Sequence, residues 1–538
     1  MENELIAERL AAFAALLELA DANAYTVRAY RRAAETIRGT PVGVADLVRV
    51  GRVRELRGIG PGIEARLREL VETGAIAELA ELERELAPDL IGLGRYLGLG
   101  AQRSVELARA LGVRTADELR EAALAGRLRS VPGIGPKTEA RLLDGLAREH
   151  QPRPRQGLLL NRARELVGAI ANALGGEIAG DTRRWRDSCE RLAVVCAAAD
   201  PQPVLARFAS LPHVVALVSQ QERGAIGVTV EGVPVEVVVA EPQRFGTALA
   251  RATGSVDYLT PLEPLPDAPD EHALYAQLGI PWCPPELREA PFVGQPPPLV
   301  EVGDIRGDLH SHTTWSDGRA SAEEMGRAAM EHGYAYLAIC DHTPAVGAVR
   351  GLTADDVRRQ AEEIAAANQV LAPFRLLRGI ECDILPDGRL DLPDDVLGEL
   401  DWVQASVHGG QRMPQAEMTR RVLEALRNPY VRCLSHPTGR YINRRPENAL
   451  DLESVFEIAL ERDVALEVNG LPDRLDLSGE HVREALRAGV KIVCSTDAHS
   501  IRGLEHMQLA VATARRGGAT AADVLNTRTR EQLPPRAR

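Results

Sequence analysis

The sequence predicts a multidomain protein with three architectures in succession: an all-α N-terminal segment, an α+β middle and a C-terminal parallel α/β barrel. Three observations predict it. The first 150 residues read as short helices joined by glycine turns, one of which recurs almost unchanged. Two proline-containing joints interrupt the chain, HQPRPRQG at 150–157 and a longer one at 289–305. Beyond residue 306 strand-like and helix-like runs alternate, the pattern of a parallel βα fold. The expected units are therefore 1–150, 158–288 and 306–538, with 289–305 as linker. A chain of 538 residues is too long for a single core, because domains run to roughly 100–200 residues.

Composition narrows the function class. A hydrophobic fraction of 45% and a charged fraction of 26% belong to folded globular domains and exclude wholesale disorder. No apolar run approaches the roughly 18–20 residues of a membrane span. MENELIAERLAAFAALLELA carries charges inside its apolar pattern and reads as an amphipathic helix, not a signal peptide. Seven scattered cysteines without a CxxC pair argue against a disulfide framework or zinc ribbon, so a reducing cytoplasm is the expected compartment. The net charge of −13 excludes a broad basic DNA-wrapping surface, so any nucleic-acid contact must come from local geometry. Of the 64 basic residues only Lys137 and Lys491 are lysine, which removes lysine chemistry from almost the whole chain. Nothing in the pattern signals an oligomer, and a monomer is expected.

In the first unit, apolar residues recur at helical spacing in Ile6–Leu19 and Leu142–Leu146. LRGIGPGIEARL (Leu56–Leu67) and VPGIGPKTEARL (Val131–Leu142) each place an apolar residue between two glycines and then open a helix. Glycines let a backbone approach a phosphate, and the helix's unpaired N–H groups and dipole then bind it. Such contacts carry no base information, so they suit sequence-independent DNA binding. A lone GxG is ordinarily only a tight turn; two near-copies that both open helices point to function. They look like helix-hairpin-helix motifs, with Gly58, Gly60, Gly62, Gly133, Gly135 and Lys137 as candidate DNA-backbone contacts. With NAYTVRAYRRAAETIR (Asn23–Arg38) ahead of them, the region resembles the N-terminal domain of family X DNA polymerases. Some members cleave abasic sites through a Schiff-base lysine in the helix after the first hairpin. Here that helix carries Arg66, which stays protonated and cannot attack an aldehyde.

The middle unit gives a helix (Leu160–Leu174), a buried strand (Leu192–Ala198), and a strand, helix and TGS turn in Val233–Ser255. The order resembles a polymerase-beta-like palm, with Arg183, Arg184 and Thr253–Gly254–Ser255 at positions where family X has similar residues. Two-metal polymerisation needs two carboxylates alternating on one strand and a third on its neighbour. The family places the pair 11 and 13 residues after the glycine corresponding to Gly180, which here falls on Arg191 and Ala193. Glu190 is out of phase and belongs to the opposite face of a strand. Only Glu236 keeps an acid at the third position. PLEPLPDAPDEH replaces the stretch that grips nucleotide and template, so the thumb is truncated. The palm reads as retained architecture with lost chemistry, and magnesium is not expected there.

The barrel unit carries the chemistry. Expected strands are Tyr334–Cys340, Leu376–Glu381, Trp402–Val407, Val431–Leu434, Ala465–Val468 and Lys491–Ser495, separated by helices such as Ala354–Leu371, Ala416–Leu426 and Leu452–Glu461. At the strand ends lie His342 (after Asp341), Glu381, His408, His436, Asp497 and His499, and DLHSHTTWSDG adds His310, His312 and Asp317. Parallel strands end on one face of a barrel, so these residues converge. Alternate residues share a face, so His310 and His312 can meet one ion. A single histidine at a strand end is ordinarily a core or surface residue, but six histidines and three acids so placed are not accidents. Imidazole with carboxylate suits zinc or manganese, and Glu381 can bridge two ions. His150, His213, His272, His332, His481 and His506 have no such placement. Cys340, Cys382 and Cys494 are expected to pack as small apolar groups.

SVHGG, CLSHPTGR, LEVNGLPDRLDL and STDAHS, with IPWCPPELRE before the barrel, resemble the PHP (polymerase and histidinol phosphatase) domain fused to bacterial family X DNA polymerases. The resemblance covers essentially the whole chain and implies a distorted TIM-like barrel holding two or three divalent ions. It assigns His310, His312, Glu381 and Asp497 to one ion, Glu381, His408 and His436 to a second, and Asp317, His342 and His499 to a third. It implies phosphoester hydrolysis on DNA, a 3'-5' exonuclease with AP-endonuclease or 3'-phosphatase activity in reach. Glu381 and Asp497 are then catalytic as well as ligating, with Arg440 and Arg474 as candidate phosphate clamps, since a guanidinium can grip two phosphate oxygens. Three other readings stay open: a working gap-filling polymerase with an attached exonuclease, a small-molecule phosphatase, and a non-catalytic DNA-binding module.

Overall fold

The computed structural model describes residues 1–19, 22–86 and 157–534, and between 87 and 156 only 107, 110–113, 118, 121–123, 125–131 and 134. The chain gathers into two compact units, Met1–Gln156 with Glu190–Leu192 and Asp200–Val239, and Gly157–Cys189 with Ala193–Ala199 and Ala240–Arg538. The segment expected to stand alone at 158–288 is thus divided between them.

The first unit is helical, as the spacing of its apolar residues requires. Helices run Asn3–Leu19, Ala24–Gly39, Val44–Arg49, Pro61–Thr73 and Ala77–Leu86. Asn23 caps the second by accepting from the Tyr25 N–H at 2.8 Å. Pro61 opens the fourth at a position where its missing N–H costs nothing. Leu10, Phe13, Ile37, Leu56, Leu67 and Leu70 form the core with Tyr30, whose ring meets Phe13 edge-on at 4.9 Å. Three strands, Val214–Gln221, Gly224–Thr229 and Pro234–Ala240, form an antiparallel meander, and Val215 joins the helical core.

The second unit opens with the expected helix Leu160–Leu174 and a short antiparallel pair, Glu177–Ala179 with Leu192–Ala197. It then forms a seven-stranded parallel sheet: β1 (Gly307–Ser311), β2 (Tyr336–Ile339), β3 (Arg375–Asp383), β4 (Trp402–Ser406), β5 (Cys433–Leu434), β6 (Ala465–Asn469) and β7 (Ile492–Ser495). These strands lie side by side in sequence order, and a bridge between Ser311 and Ala498 draws the ends of β1 and β7 together into a nearly closed barrel. Helices Ala322–Glu331, Ala354–Val370, Gln415–Leu426, Leu452–Arg462, Gly479–Arg487 and Met507–Arg516 surround it. Two layers of core result, one between strands and helices and one inside the barrel around Leu309, Tyr336, Ala338, Leu377, Trp402, Ala465 and Val493.

That interior layer aims the polar residues above it. Side chains alternate along a strand, so Tyr336, Ala338, Cys340 and His342 face inward together, as do Leu377 and Glu381, Trp402 and His408, Ala465 and Glu467, and Val493 and Asp497. Apolar residues fill the lower barrel and the same faces turn polar at the strands' C-terminal ends. β1 reaches the same result through a register shift between Asp308 and Ser311.

A buried ion cluster secures the segments ahead of the barrel. Glu271 bonds Arg183 through both oxygens at 2.8 and 2.9 Å and Arg288 at 2.5 and 3.0 Å, and the Arg288 side chain is fully buried. Burial pushes the Glu271 carboxyl up, but Arg288 and Arg183 override it and hold it at about 2. A depressed folded pKa stabilises above the ordinary carboxyl value of 4.5 and loses that stabilisation as pH falls toward 2. The difference corresponds to about 3 kcal/mol at neutral pH. We expect Glu271→Gln to lower unfolding stability at pH 7 by about 3 kcal/mol, with wild type and variant converging as pH drops below 4, measured by urea denaturation across that range. An equal gap at pH 7 and pH 3 would contradict this account.

Candidate metal centre

Six of the seven strands, all but β6, bring the nine candidate ligands predicted from the sequence into one largely buried cluster. Glu381, at the end of β3, sits at its middle. Its Oε1 lies 2.8 Å from His436 Nε2 and 3.4 Å from His408 Nε2; its Oε2 lies 2.8 Å from His342 Nδ1, 3.6 Å from His310 Nε2 and 3.7 Å from His312 Nε2. The Nε2 atoms of His310 and His312 are 3.1 Å apart, and His312 Nε2 is 3.0 Å from Asp497 Oδ1. Asp317 lies 3.6 Å from His342 Nε2 and 3.3 Å from His499 Nε2.

Three groups have ligand atoms close enough to share an ion: His310, His312 and Asp497; His342, Glu381 and His408; and His312, Asp317, His342 and His499. The first and third match the expected sets apart from Glu381 and an added His312. The second exchanges His436 for His342, although His436 remains against Glu381. His312 and His342 thus each stand between two groups.

The donor set fits divalent cations. His312 Nδ1, His342 Nδ1 and Glu381 Oε2 are buried without hydrogen-bond partners. The last two are only 2.8 Å apart yet lack the angle for a hydrogen bond. Nitrogen and oxygen donors that converge in this way suit a shared ion.

Electrostatics agrees. Burial drives the His312 ring down, and the neighbouring His499 and His342 rings push it further, to about 3. Burial also depresses His342 and His408, but Glu381 overrides it and raises them to about 10 and about 9. Burial would raise Glu381 and Asp497, yet the surrounding imidazoles hold both carboxyls well below their usual range. Two ligands also sit in the left-handed backbone region, His436 at φ 26° and Asp497 at φ 52°, strain that costs about 1–3 kcal/mol per residue and is typical of functional sites.

A layer of acids behind the ligands escaped the sequence reading. Glu467 is fully buried; it accepts from His310 Nδ1 at 2.6 Å, Ser435 Oγ at 3.0 Å, the His436 N–H at 2.6 Å and Asn469 Nδ2 at 3.2 Å. Asn469 also donates to Asp497 Oδ2 at 2.9 Å. Asp383 stands 3.2 Å from His408 Nδ1. Asp341 accepts from the Thr313 N–H at 2.8 Å and Gln360 Nε2 at 2.6 Å. These contacts fix which imidazole nitrogen faces the centre. The available signal was alternation: Glu467 and Asn469 follow Ala465 at two-residue steps. His506, set apart by the sequence, also lies within electrostatic reach of Asp497.

The two candidate clamps differ. Arg440 is committed: Nε donates to the Arg474 carbonyl at 2.8 Å and Nη2 to the Leu475 carbonyl and to Asp187 at 2.6 Å. Arg474 is buried and stacks 4.5 Å over Tyr441, donates to the Tyr441 hydroxyl at 2.9 Å, and keeps a buried Nε without a partner. Asp497 and Glu381 raise its pKa against the effect of burial.

The predicted DNA contacts divide. Gly60 caps the N-terminus of helix Pro61–Thr73, and Gly58 takes φ +87°, a conformation that disfavours any side chain. Added Cβ atoms at Gly58, Gly60 and Gly62 would meet nothing within 4 Å, so backbone there is open to approach. Gly133, Gly135 and Lys137 lie outside the described residues, as does Leu142–Leu146. Arg66 is held by Glu69 at 3.1 Å and by Glu78.

In the middle segments Arg191 is exposed and 3.7 Å from Glu236, Ala193 is buried, and Glu190 is exposed. Arg184 is engaged by Asp181, Glu289 and the Thr253 carbonyl, and Arg183 by Thr253 Oγ1 and Glu271. Among the described residues every group able to share an ion lies in the barrel, and no helix is long and apolar enough to cross a membrane.

A helix-hairpin-helix domain model matches residues 1–76, a SAM-like helix-hairpin-helix tandem matches 89–148, and a PHP domain matches 308–469. The chain is 33% identical to the DNA polymerase/3'-5' exonuclease PolX of Bacillus subtilis (strain 168), across 98% of both proteins. Probable phosphatases match part of the chain: one from Acetivibrio thermocellus at 32% identity over 36% of this chain and 78% of its own length, and one from Thermoanaerobacter sp. (strain X514) at 29% over 41% and 89%.

Proposed function

Because the chain belongs to the PolX family of DNA polymerase/3'-5' exonucleases that carry a PHP domain, we propose that it is a DNA repair enzyme whose working active site is the barrel centre. The reaction is divalent-metal hydrolysis of phosphodiesters at DNA 3' ends, and the palm no longer polymerises. The observation that carries the reading is Glu381, a buried carboxylate set among five imidazoles that hold its pKa well below the usual range. Two or three zinc or manganese ions would be held by His310, His312, Glu381 and Asp497, by Glu381, His408 and His436, and by Asp317, His342 and His499. Such ions lower the pKa of water to near 7 and neutralise charge developing on a phosphate.

The protein's own groups prepare the site. Glu467 accepts from His310 Nδ1 and Asp383 from His408 Nδ1, turning both Nε2 atoms to the centre. His499 Nδ1 donates to its neighbouring Asp497 carbonyl at 2.8 Å, with the same consequence. His310 and His312 are fully buried, whereas Asp317 and His499 keep 28% and 32% of their side-chain surface. Substrate therefore enters on the Asp317–His499 side. Arg474, with its unpartnered Nε and within electrostatic reach of Asp497 and Glu381, grips phosphate oxygens. The open glycine turn at Gly58–Gly62 and the second hairpin segment hold the DNA backbone without reading sequence.

Metal dependence tests the proposal. Protein stripped with a chelator should leave a labelled DNA strand intact, and manganese should restore shortening from the 3' end in wild type but not in His342→Ala. DNA degradation persisting in a clean His342→Ala preparation would remove the barrel centre as its source.

A further inference from the structure

Asp187 lies before the barrel in sequence, in the stretch that resembles a palm, yet its half-buried side chain pairs with arginines of the barrel. Its Oδ2 takes Arg440 Nη2 at 2.6 Å and its Oδ1 takes Arg516 Nη1 at 2.6 Å. Asp187 and Arg440 are 253 positions apart in the chain. Arg440 also donates to two successive backbone carbonyls, those of Arg474 and Leu475. Leu475 adopts φ 44°, so a donor pair grips the loop where its backbone is unfavourable. Arg474 is the side chain that this grip aims. Nearby, Asn443 Nδ2 donates to the Gly157 carbonyl at 2.8 Å, a second tie between the two stretches.

We propose that Asp187 is a positioning residue of the phosphodiesterase site: it orients Arg440, which holds the 474–475 backbone and so aims Arg474 at the substrate phosphate. The proposal rests on the phosphodiesterase reading given above. It assigns a use to the palm segment that needs no polymerase chemistry. Without Asp187, Arg440 is a largely buried guanidinium short of its counter-charge, and such a group turns toward water or another acid. Its two carbonyl bonds then weaken together, and the loop under Arg474 relaxes. The loss falls on phosphate binding, because no metal ligand is touched. Arg516 provides the contrast. It pairs with the other oxygen of Asp187 and lies near Glu289 at 3.8 Å, whereas the 474–475 carbonyls are held by Arg440.

The test uses the full-length manganese-loaded protein, turnover of thymidine 5'-(p-nitrophenyl phosphate), and inhibition by inorganic phosphate. Asp187→Asn should raise KM and the phosphate inhibition constant about tenfold each, with kcat within about twofold and metal content unchanged. Asp187→Glu should recover most of the loss, and Arg516→Met should lower Tm while leaving both constants in place. Should Asp187→Asn fail to fold, Arg440→Lys keeps the charge but loses a donor and should raise the same two constants. A variant that lowers Tm without moving KM or phosphate inhibition, or equal shifts from Arg516→Met, would overturn the proposal and leave Asp187 a structural residue. Wild-type protein that binds manganese but turns over no ester would instead defeat the phosphodiesterase reading. Calorimetry of inorganic phosphate binding would then still decide the part played by Asp187.

Discussion

Glu381→Gln is expected to abolish manganese-dependent hydrolysis of DNA, by about a hundredfold at the least, while the barrel stays folded. Each of its oxygens serves a different set of rings: Oε1 faces His408 and His436, and Oε2 faces His310, His312 and His342. An amide of the same shape keeps one acceptor and turns an N–H₂ toward nitrogen lone pairs that need a cation. It also removes the charge that balances the imidazoles. With five imidazoles within 3.7 Å of its two oxygens, Glu381→Gln should be at least as damaging as any one His→Ala substitution. Metal content by elemental analysis and exonuclease rate should fall together. A variant that keeps its full metal load and degrades DNA at the wild-type rate would place the chemistry elsewhere.

The convergence of the nine candidate residues was legible in the sequence because most of them sit at or just beyond a strand end, and parallel strands put those ends on one face. The barrel strands were legible for the same reason: Ala465–Val468 and Lys491–Ser495 differ from the observed β6 and β7 by one residue each. Glu467 was harder to see, because an acid within a strand gives no sign of whether it ligates, supports a ligand or faces water. Only the fold puts His310 Nδ1 2.6 Å from it. Arg440 and Arg474 were indistinguishable as arginines in polar loops; their difference lies in which carbonyls and acids the folded chain presents. The unit boundaries were illegible for a related reason. The ties that join Gly157–Cys189 to the barrel's unit run from Asp187 to Arg440 and Arg516, 253 and 329 positions away. No local composition shift encodes such a contact.

On a gapped duplex labelled on the primer strand, with manganese present, the primer should shorten at the same rate with or without dNTPs. Polymerisation needs several carboxylates around two ions. At the three corresponding positions this chain offers Arg191, Ala193 and Glu236, and Arg191 lies within 3.7 Å of the one acid that remains. A guanidinium there repels the cation the reaction requires, and Ala193 offers no oxygen. The arginines that could grip an incoming triphosphate are also occupied, Arg183 by Glu271 and Arg184 by Asp181 and Glu289. Freeing them means breaking part-buried ion pairs on which both arginines are already spent. Glu381→Gln should therefore leave the primer unchanged in either mixture, neither shortened nor extended. Templated extension by wild type, lost in Glu236→Ala, would mean that Glu236 works with acids outside the 191 and 193 positions. The palm would then be a second active site rather than the support its ion pairs to the barrel suggest.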